Sequence, residues 1–170
     1  MPRGLWLALA ALWLGGCVNL PDELRYEPES ALQSYGAVSQ HPDAAKGQPV
    51  RWSGVIAANR VLVSQTELEV VLLPLKANGI PQQQEHSEGR FLVHLPGLLD
   101  PTLYAPGRSV TVLGTVAGEV AGKIGEQPYR FVLVQGTAHK LWPQVKDVEV
   151  RYVNACFEPL WPGPRPRPLP

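Results

Sequence analysis

Two cysteines, Cys17 and Cys156, are all that the 170 residues contain, so the disulfide framework that staples many small secreted domains is excluded. Charge is sparse and balanced, 15 basic against 15 acidic residues, whereas a nucleic-acid binder carries a basic excess. Histidine is rarer still. His41, His86, His94 and His139 are scattered with no two at ligand spacing, so each reads as a surface or strand imidazole and no metal is expected. No apolar run reaches the roughly 20 residues that a membrane-spanning helix needs. The chain also lacks a Gly-x-Ser-x-Gly elbow, a His-Glu-x-x-His pair and a glycine-rich phosphate loop. Around Cys156 the run Asn154-Ala155-Cys156-Phe157 holds no charge that would activate a thiol, which makes Cys156 a small buried residue or an idle thiol. This inventory predicts neither an enzyme nor a cofactor.

What is present begins at the N-terminus. Arg3 is followed by an uncharged run from Leu5 to Leu14, then by Leu14-Gly15-Gly16-Cys17. The run is too short to span a bilayer but suits the core of a signal peptide. The small residues Gly15 and Gly16 let an extended backbone enter a peptidase cleft, and Cys17 offers the thiol for a diacylglycerol. The motif resembles the bacterial lipobox, with Gly15 where Ala or Ser is commoner. Residues 1–16 are therefore read as a cleaved signal and Cys17 as the lipidated first residue, joined to the membrane through its acyl chains. Removing residues 1–16 of the 170 takes away Arg3 and leaves 154 residues, enough for one compact domain with tails. With Cys17 acylated, Cys156 has no intramolecular partner. In Gram-negative lipoproteins an Asp directly after the lipidated Cys resembles an inner-membrane retention signal. Val18 stands there instead, which implies the outer membrane, facing the periplasm.

Sixteen glycines and 18 prolines favour short strands over long helices. Residues 17–48, with Pro21, Pro28 and Pro42, mild acidity at Asp22, Glu23, Glu27 and Glu29, and a weakly helical patch from Glu29 to Val38, read as a lipidated tether. Strand periodicity then appears at Val50–Ile56, Thr66–Leu73, Arg90–Leu95, Ser109–Val116 and Tyr129–Gln135. Val148–Val153 alternates well enough for one more, at an edge. Lys76–Gly89 reads as a long hairpin loop, and Leu98–Ala105 as a helical turn with Asp100 at its cap and Pro101 at its first position. Gly54 and Gly114 fall inside strand patterns, where a glycine marks a bulge or the bend of a tightly coiled sheet.

Five to six short strands with such bends predict an all-β fold, a small, partly open, OB-like Greek-key barrel over residues 49–157. A Pro-rich tail, residues 158–170, follows; from Pro159 it is half proline and reads as solvated polyproline II. On such a barrel aromatic side chains can meet a ligand. Trp52, Tyr104, Arg108 and Tyr129 are the candidate ligand-face residues, although alternation assigns most aromatics to packing, and Asp100, Tyr104 and Arg108 are better explained as a turn that fixes a strand crossing.

Val50-Arg51-Trp52-Ser53-Gly54, Gly89-Arg90-Phe91, Leu99-Asp100-Pro101 with Tyr104, the run Gly107 to Gly114, and Gly122-Lys123-Ile124-Gly125 with Tyr129 together resemble the Slp family of outer-membrane lipoproteins, from about Cys17 to Trp142. Ser53 departs from the family's glycine, and Arg130-Phe131-Val132 from a Tyr-Pro-Val run. The resemblance implies a Gram-negative envelope protein associated with starvation or stationary phase, with no agreed catalytic activity and hence no active-site residue to carry over. The expected role is structural or stress-related. The alternative is a module that binds a glycan, a peptidoglycan fragment or a partner protein on the barrel face.

Because the proline density of the tail prevents it from joining a sheet, truncation after Phe157 is expected to leave the thermal midpoint unchanged within about 2 °C, on the scale where 1 kcal/mol moves a domain of this size by a few degrees. Circular-dichroism melting of the full-length and shortened chains measures this, and a large fall would show that Trp161 is docked.

Overall fold

A computed structural model describes residues 19–144. Two 3₁₀ turns, Asp22–Leu24 and Glu29–Ala31, lead to a short helix, α1 (Tyr35–Ser39), and then to five strands: β1 (Pro49–Val61), β2 (Gln65–Leu73), β3 (Arg90–Pro96), β4 (Ser109–Ile124) and β5 (Gln127–Leu141). The strands close in the order β1-β2-β3-β5-β4. All pairs are antiparallel except β3 with β5. This is the OB-like Greek-key barrel, closed among the described residues where a partly open one is expected.

Closure depends on β1 being long enough to pair twice. Its first half runs along β4, from Pro49 opposite Thr115 to Val55 opposite Ser109, and its second half along β2, from Ser53 opposite Leu73 to Val61 opposite Thr66. A register shift between Ile56 and Ala58 bends the strand as it leaves β4. Gly54 lies where both partners are present. A Cβ built there would come 1.9 Å from the Val71 carbonyl oxygen, so no larger residue fits without moving backbone.

Inward-facing Val50, Trp52, Ile56, Leu68, Val70, Phe91, Val93, Leu95, Val110, Val112, Val116, Val132 and Val134 make the core. Alternation puts them there, and each large side chain withdrawn from water contributes about 1.5–3 kcal/mol. Helix α1 closes one end: Tyr35 and Val38 are buried, and the Tyr35 and Phe91 rings stand edge-on to Trp52, at 5.2 and 5.3 Å. Ser34 caps the helix, its Oγ accepting from the Ala37 N–H at 3.3 Å. The β3–β4 connection closes the opposite end, with Leu99 and Tyr104 packed on the core.

A second apolar layer lies outside the β1–β4 wall. Leu24, Leu73 and Leu113 are buried there, apart from the main core. Polar groups join the layer to the wall: Ser53 Oγ donates to the Leu73 carbonyl at 2.8 Å, Thr111 Oγ1 to the Gly79 carbonyl at 2.6 Å, and Trp142 Nε1 to Thr111 Oγ1 at 3.0 Å. Arg51, its side chain nine-tenths buried, donates from Nη1 to the Leu24 carbonyl at 3.3 Å and pairs with Glu29.

Within the stretch expected as a tether, Leu24, Tyr35 and Val38 are buried against the barrel, because isolated apolar residues among prolines reach a groove without showing any periodicity. Leu98–Ala105 forms turns instead of a helix. Strands β4 and β5 run well past their expected ends and join at Gly125-Glu126. The strand expected at Val148–Val153, the tail, Cys156, and Leu14 to Cys17 lie outside the described residues.

If residues 19–48 belong to the folded body, Leu24→Ala should destabilise the protein by about 2–5 kcal/mol, the cost of truncating a buried leucine. Urea unfolding decides this, since a tether residue would change stability by less than about 0.5 kcal/mol.

Candidate functional site

The four candidate ligand-face residues do not share a surface. Trp52 is in the core, only 5% exposed, with Nε1 donating to the Gln33 carbonyl at 3.0 Å. Tyr129 stands by the start of β3, where its hydroxyl accepts from the Arg90 N–H at 3.0 Å and its ring meets Phe131 at 4.7 Å. Next to it the Tyr35 hydroxyl donates to the Arg90 carbonyl at 3.1 Å; burial pushes this phenol far up, and the neighbouring Tyr129 adds to the shift. Gly89 fits against both hydroxyls, since a Cβ would lie 2.4 Å from Tyr35 Oη.

Tyr104 and Arg108 are at the opposite end, in the connection that closes the barrel. Asp100 Oδ1 accepts from the Thr102 N–H at 2.7 Å, and its carbonyl accepts from the Tyr104 N–H at 2.9 Å. Arg108 Nη1 donates to the Leu103 carbonyl at 2.9 Å and Nη2 to the Trp142 carbonyl at 3.1 Å, which ties this connection to the end of β5. The Tyr104 hydroxyl and His139 Nε2 are 2.8 Å apart. Burial lowers the His139 pKa and raises that of Tyr104, with Arg108 pulling the phenol the other way. The ring is thus held neutral, and the network assigns the hydroxyl as donor and Nε2 as acceptor. This set has the geometry of a clasp, the turn that its sequence suggests.

A cleft of about 290 Å³ lies on another face, across the outside of β1, β2 and β3 and beneath the β4–β5 hairpin. Leu92 and Phe131 line it, with Arg60, Glu67 and Glu69 on one flank and Val120, Gly122 and Lys123 on the other. Gly122 makes room for the hairpin over Phe131, whose ring would be 2.9 Å from a Cβ there. Glu67 accepts from Arg60 Nη1 and from His94 Nε2, both at 3.0 Å, while Gln65 Nε2 donates to His94 Nδ1 at 3.1 Å. Glu69 pairs with Arg90 at 2.7 Å. This cleft was not among the sequence-derived candidates. Its only local signal is Glu67 and Glu69 on the outward side of β2; Leu92 and Phe131 read as ordinary strand positions, and Val120 lies beyond the strand expected at Ser109–Val116. His41 and His86 are exposed and away from it. Among the described residues, no three of His, Cys, Asp and Glu come together as a metal site.

The model of the outer membrane lipoprotein Slp family matches residues 14–168. The chain belongs to that family. Among its relatives, the "Uncharacterized lipoprotein YeaY" of Escherichia coli (strain K12) is 34% identical over 146 residues, covering 86% of this chain and 75% of that protein. The "Outer membrane protein Slp" of the same organism is 29% identical over 167 residues, covering 96% and 88%. An "Uncharacterized protein" of Haemophilus influenzae (strain ATCC 51907 / DSM 11121 / KW20 / Rd) is 32% identical over 139 residues, covering 81% and 75%. No solved structure matches. Membership of the Slp family makes the chain an outer-membrane lipoprotein.

The clasp makes the stability of this Slp-family barrel sensitive to pH. His139 has a folded pKa below its ordinary value of 6.5, so the unfolded chain takes up the proton first as pH falls. The stabilisation is complete above about pH 6.5 and is lost on acidification through the folded value. The urea midpoint should therefore be lower at about pH 5.5 than at about 7.5, and His139→Gln, which keeps an acceptor for Tyr104 but does not titrate, should reduce that difference. An unchanged difference would mean that His139 is not the group responsible.

Proposed function

We propose that this Slp-family chain is acylated at Cys17, faces the periplasm, and serves the envelope under starvation or stationary-phase conditions by binding and not by catalysis, with the cleft over β2 and β3 as its binding face. The observation that carries this reading is the state of the cleft's charges. Arg60, Glu67 and His94 are bonded to one another and Glu69 to Arg90, so none stands free as a general acid or base. Recognition by shape and apolar contact is what such a cleft supports. Binding at this face also agrees with OB barrels, whose second and third strands and flanking loops hold ligands, an analogy at the level of fold alone.

A polypeptide segment of a partner protein suits the cleft better than a glycan. Val120 on the hairpin, and Val61 and Val63 on the neighbouring β1–β2 turn, are exposed apolar side chains. The aromatic ring in the cleft, Phe131, is buried and offers no open face for stacking on a sugar.

Two measurements test the proposal. Cys17→Ala should abolish the acyl mass and release the protein from the membrane fraction; a variant that still carries lipid would refute the anchor. A photo-crosslinking residue at position 120 or 123, in the protein's own envelope, should give a discrete adduct that one at position 77 does not. Leu92→Glu should remove this adduct while lowering stability by no more than about 1 kcal/mol, as its site is a part-exposed outer face. Equal adducts from position 77 would count against the cleft.

A further inference from the structure

The folded body starts almost at the lipid. Cys17 precedes Leu20 by three residues, and three residues of fully extended chain reach no more than about 11 Å. Leu20 already belongs to the outer layer on the β1–β4 wall: a Cβ on Gly79 would be 2.8 Å from Leu20 Cδ1 and 3.4 Å from both Leu24 Cδ1 and Trp142 Cζ2. Leu24 is wholly buried, and Glu23 is bonded to Lys140 on β5 at 2.7 Å. The other end of the described chain, at Gln144, lies two residues beyond Trp142 on the same wall. Acyl chains on Cys17 would therefore be attached within about 11 Å of this layer.

We infer that the barrel lies with this wall against the phospholipid headgroups of the leaflet that holds its acyl chains, and that the cleft looks away from the membrane. The inference rests on acylation of Cys17, as proposed above. The wall has suitable chemistry. Trp142 and Ile80 are part-exposed, Ala77 and Pro143 exposed, and Lys76 is a long cation at the edge, a mixture that suits the boundary between headgroups and water. Of the acidic groups nearby, Asp22 pairs with Arg25 at 3.2 Å, Glu23 with Lys140 at 2.7 Å and Glu29 with Arg51, which limits repulsion from anionic headgroups to the exposed Glu27. The orientation of the cleft follows from strand order. In the closed order β1-β2-β3-β5-β4, β3 alone pairs with neither β1 nor β4, so Leu92 on β3 lies across the barrel from the anchored wall. The residues that β1 and β4 give to the cleft, among them Arg60 and Val120 to Lys123, lie beyond the Pro49–Val55 and Ser109–Thr115 stretches that form that wall.

The test uses the mature, acylated full-length chain in vesicles of phosphatidylethanolamine and phosphatidylglycerol. With Cys156→Ser removing the second thiol, a nitroxide is attached at Ala77→Cys on the anchored wall or at Lys123→Cys by the cleft. Both positions are exposed. Collision of the label with a water-soluble nickel chelate should fall several-fold at position 77 when vesicles are added, and stay unchanged at position 123. Equal collision at the two positions, or protection at 123 alone, would overturn the orientation. Mass spectrometry of the same sample separates the two failures. Absent acyl chains refute the anchor reading, whereas acyl chains present with position 77 still open to water refute only the docking of this wall.

Discussion

The double pairing of β1 is the constraint on which the rest of the molecule depends. One strand must leave β4 and join β2 within a few residues, and the backbone there passes so near Val71 that Gly54 has no room for a side chain. Barrel closure removes the exposed edges that an open sheet of this size would present. It also creates the two apolar compartments of the protein, the core inside the barrel and the layer of Leu24, Leu73 and Leu113 outside the β1–β4 wall.

That outer layer connects fold to location. In many lipid-anchored proteins a length of free chain separates the acyl group from the domain, and the domain then has no fixed orientation. Here the N-terminal segment is held by Arg51, by the contacts of Leu20 and Leu24 with Gly79 and Trp142, and by the Glu23–Lys140 pair. The interactions that stabilise the segment are thus the same ones that would give the barrel a membrane side and a free side. Pairing of Glu67 and Glu69 with Arg60, His94 and Arg90 would give that free side its character, a cleft with paired carboxylates and apolar margins.

Much of the barrel was legible because alternation is a local property. Val50, Trp52 and Ile56, or Phe91, Val93 and Leu95, declare an inward face within seven residues, and Pro96-Gly97 or Pro106-Gly107 declares where a strand must stop. Leu24 and Tyr35 gave no such sign. Each is a single apolar residue in a polar, proline-rich stretch, and its burial depends on a surface built from strands of which the first, at Pro49, begins 25 residues after Leu24 and 14 after Tyr35. The aromatic candidates were ambiguous for a related reason: Trp52, Tyr104 and Tyr129 have one end apolar and one polar, and residue type does not record that the polar ends meet the Gln33 carbonyl, His139 and the Arg90 N–H.

By itself the sequence determined most of the strands, the irregularity at Gly114, the absence of a disulfide framework and the lipobox-like Leu14 to Cys17, since each of these is set by residues adjacent in the chain, whereas the bend expected at Gly54 falls between Ile56 and Ala58. Only the tertiary structure decided that β3 pairs with β5 in parallel, that Leu20 and Leu24 lie on the β1–β4 wall while Tyr35 and Val38 close one end of the barrel, and that Arg60, Leu92, Val120 and Phe131 meet around one cleft. Those juxtapositions join positions up to 117 residues apart, as Glu23 and Lys140 are. They exist because closing the barrel and burying its two apolar layers stabilises that one arrangement, and no local pattern records which distant residues closure will bring together.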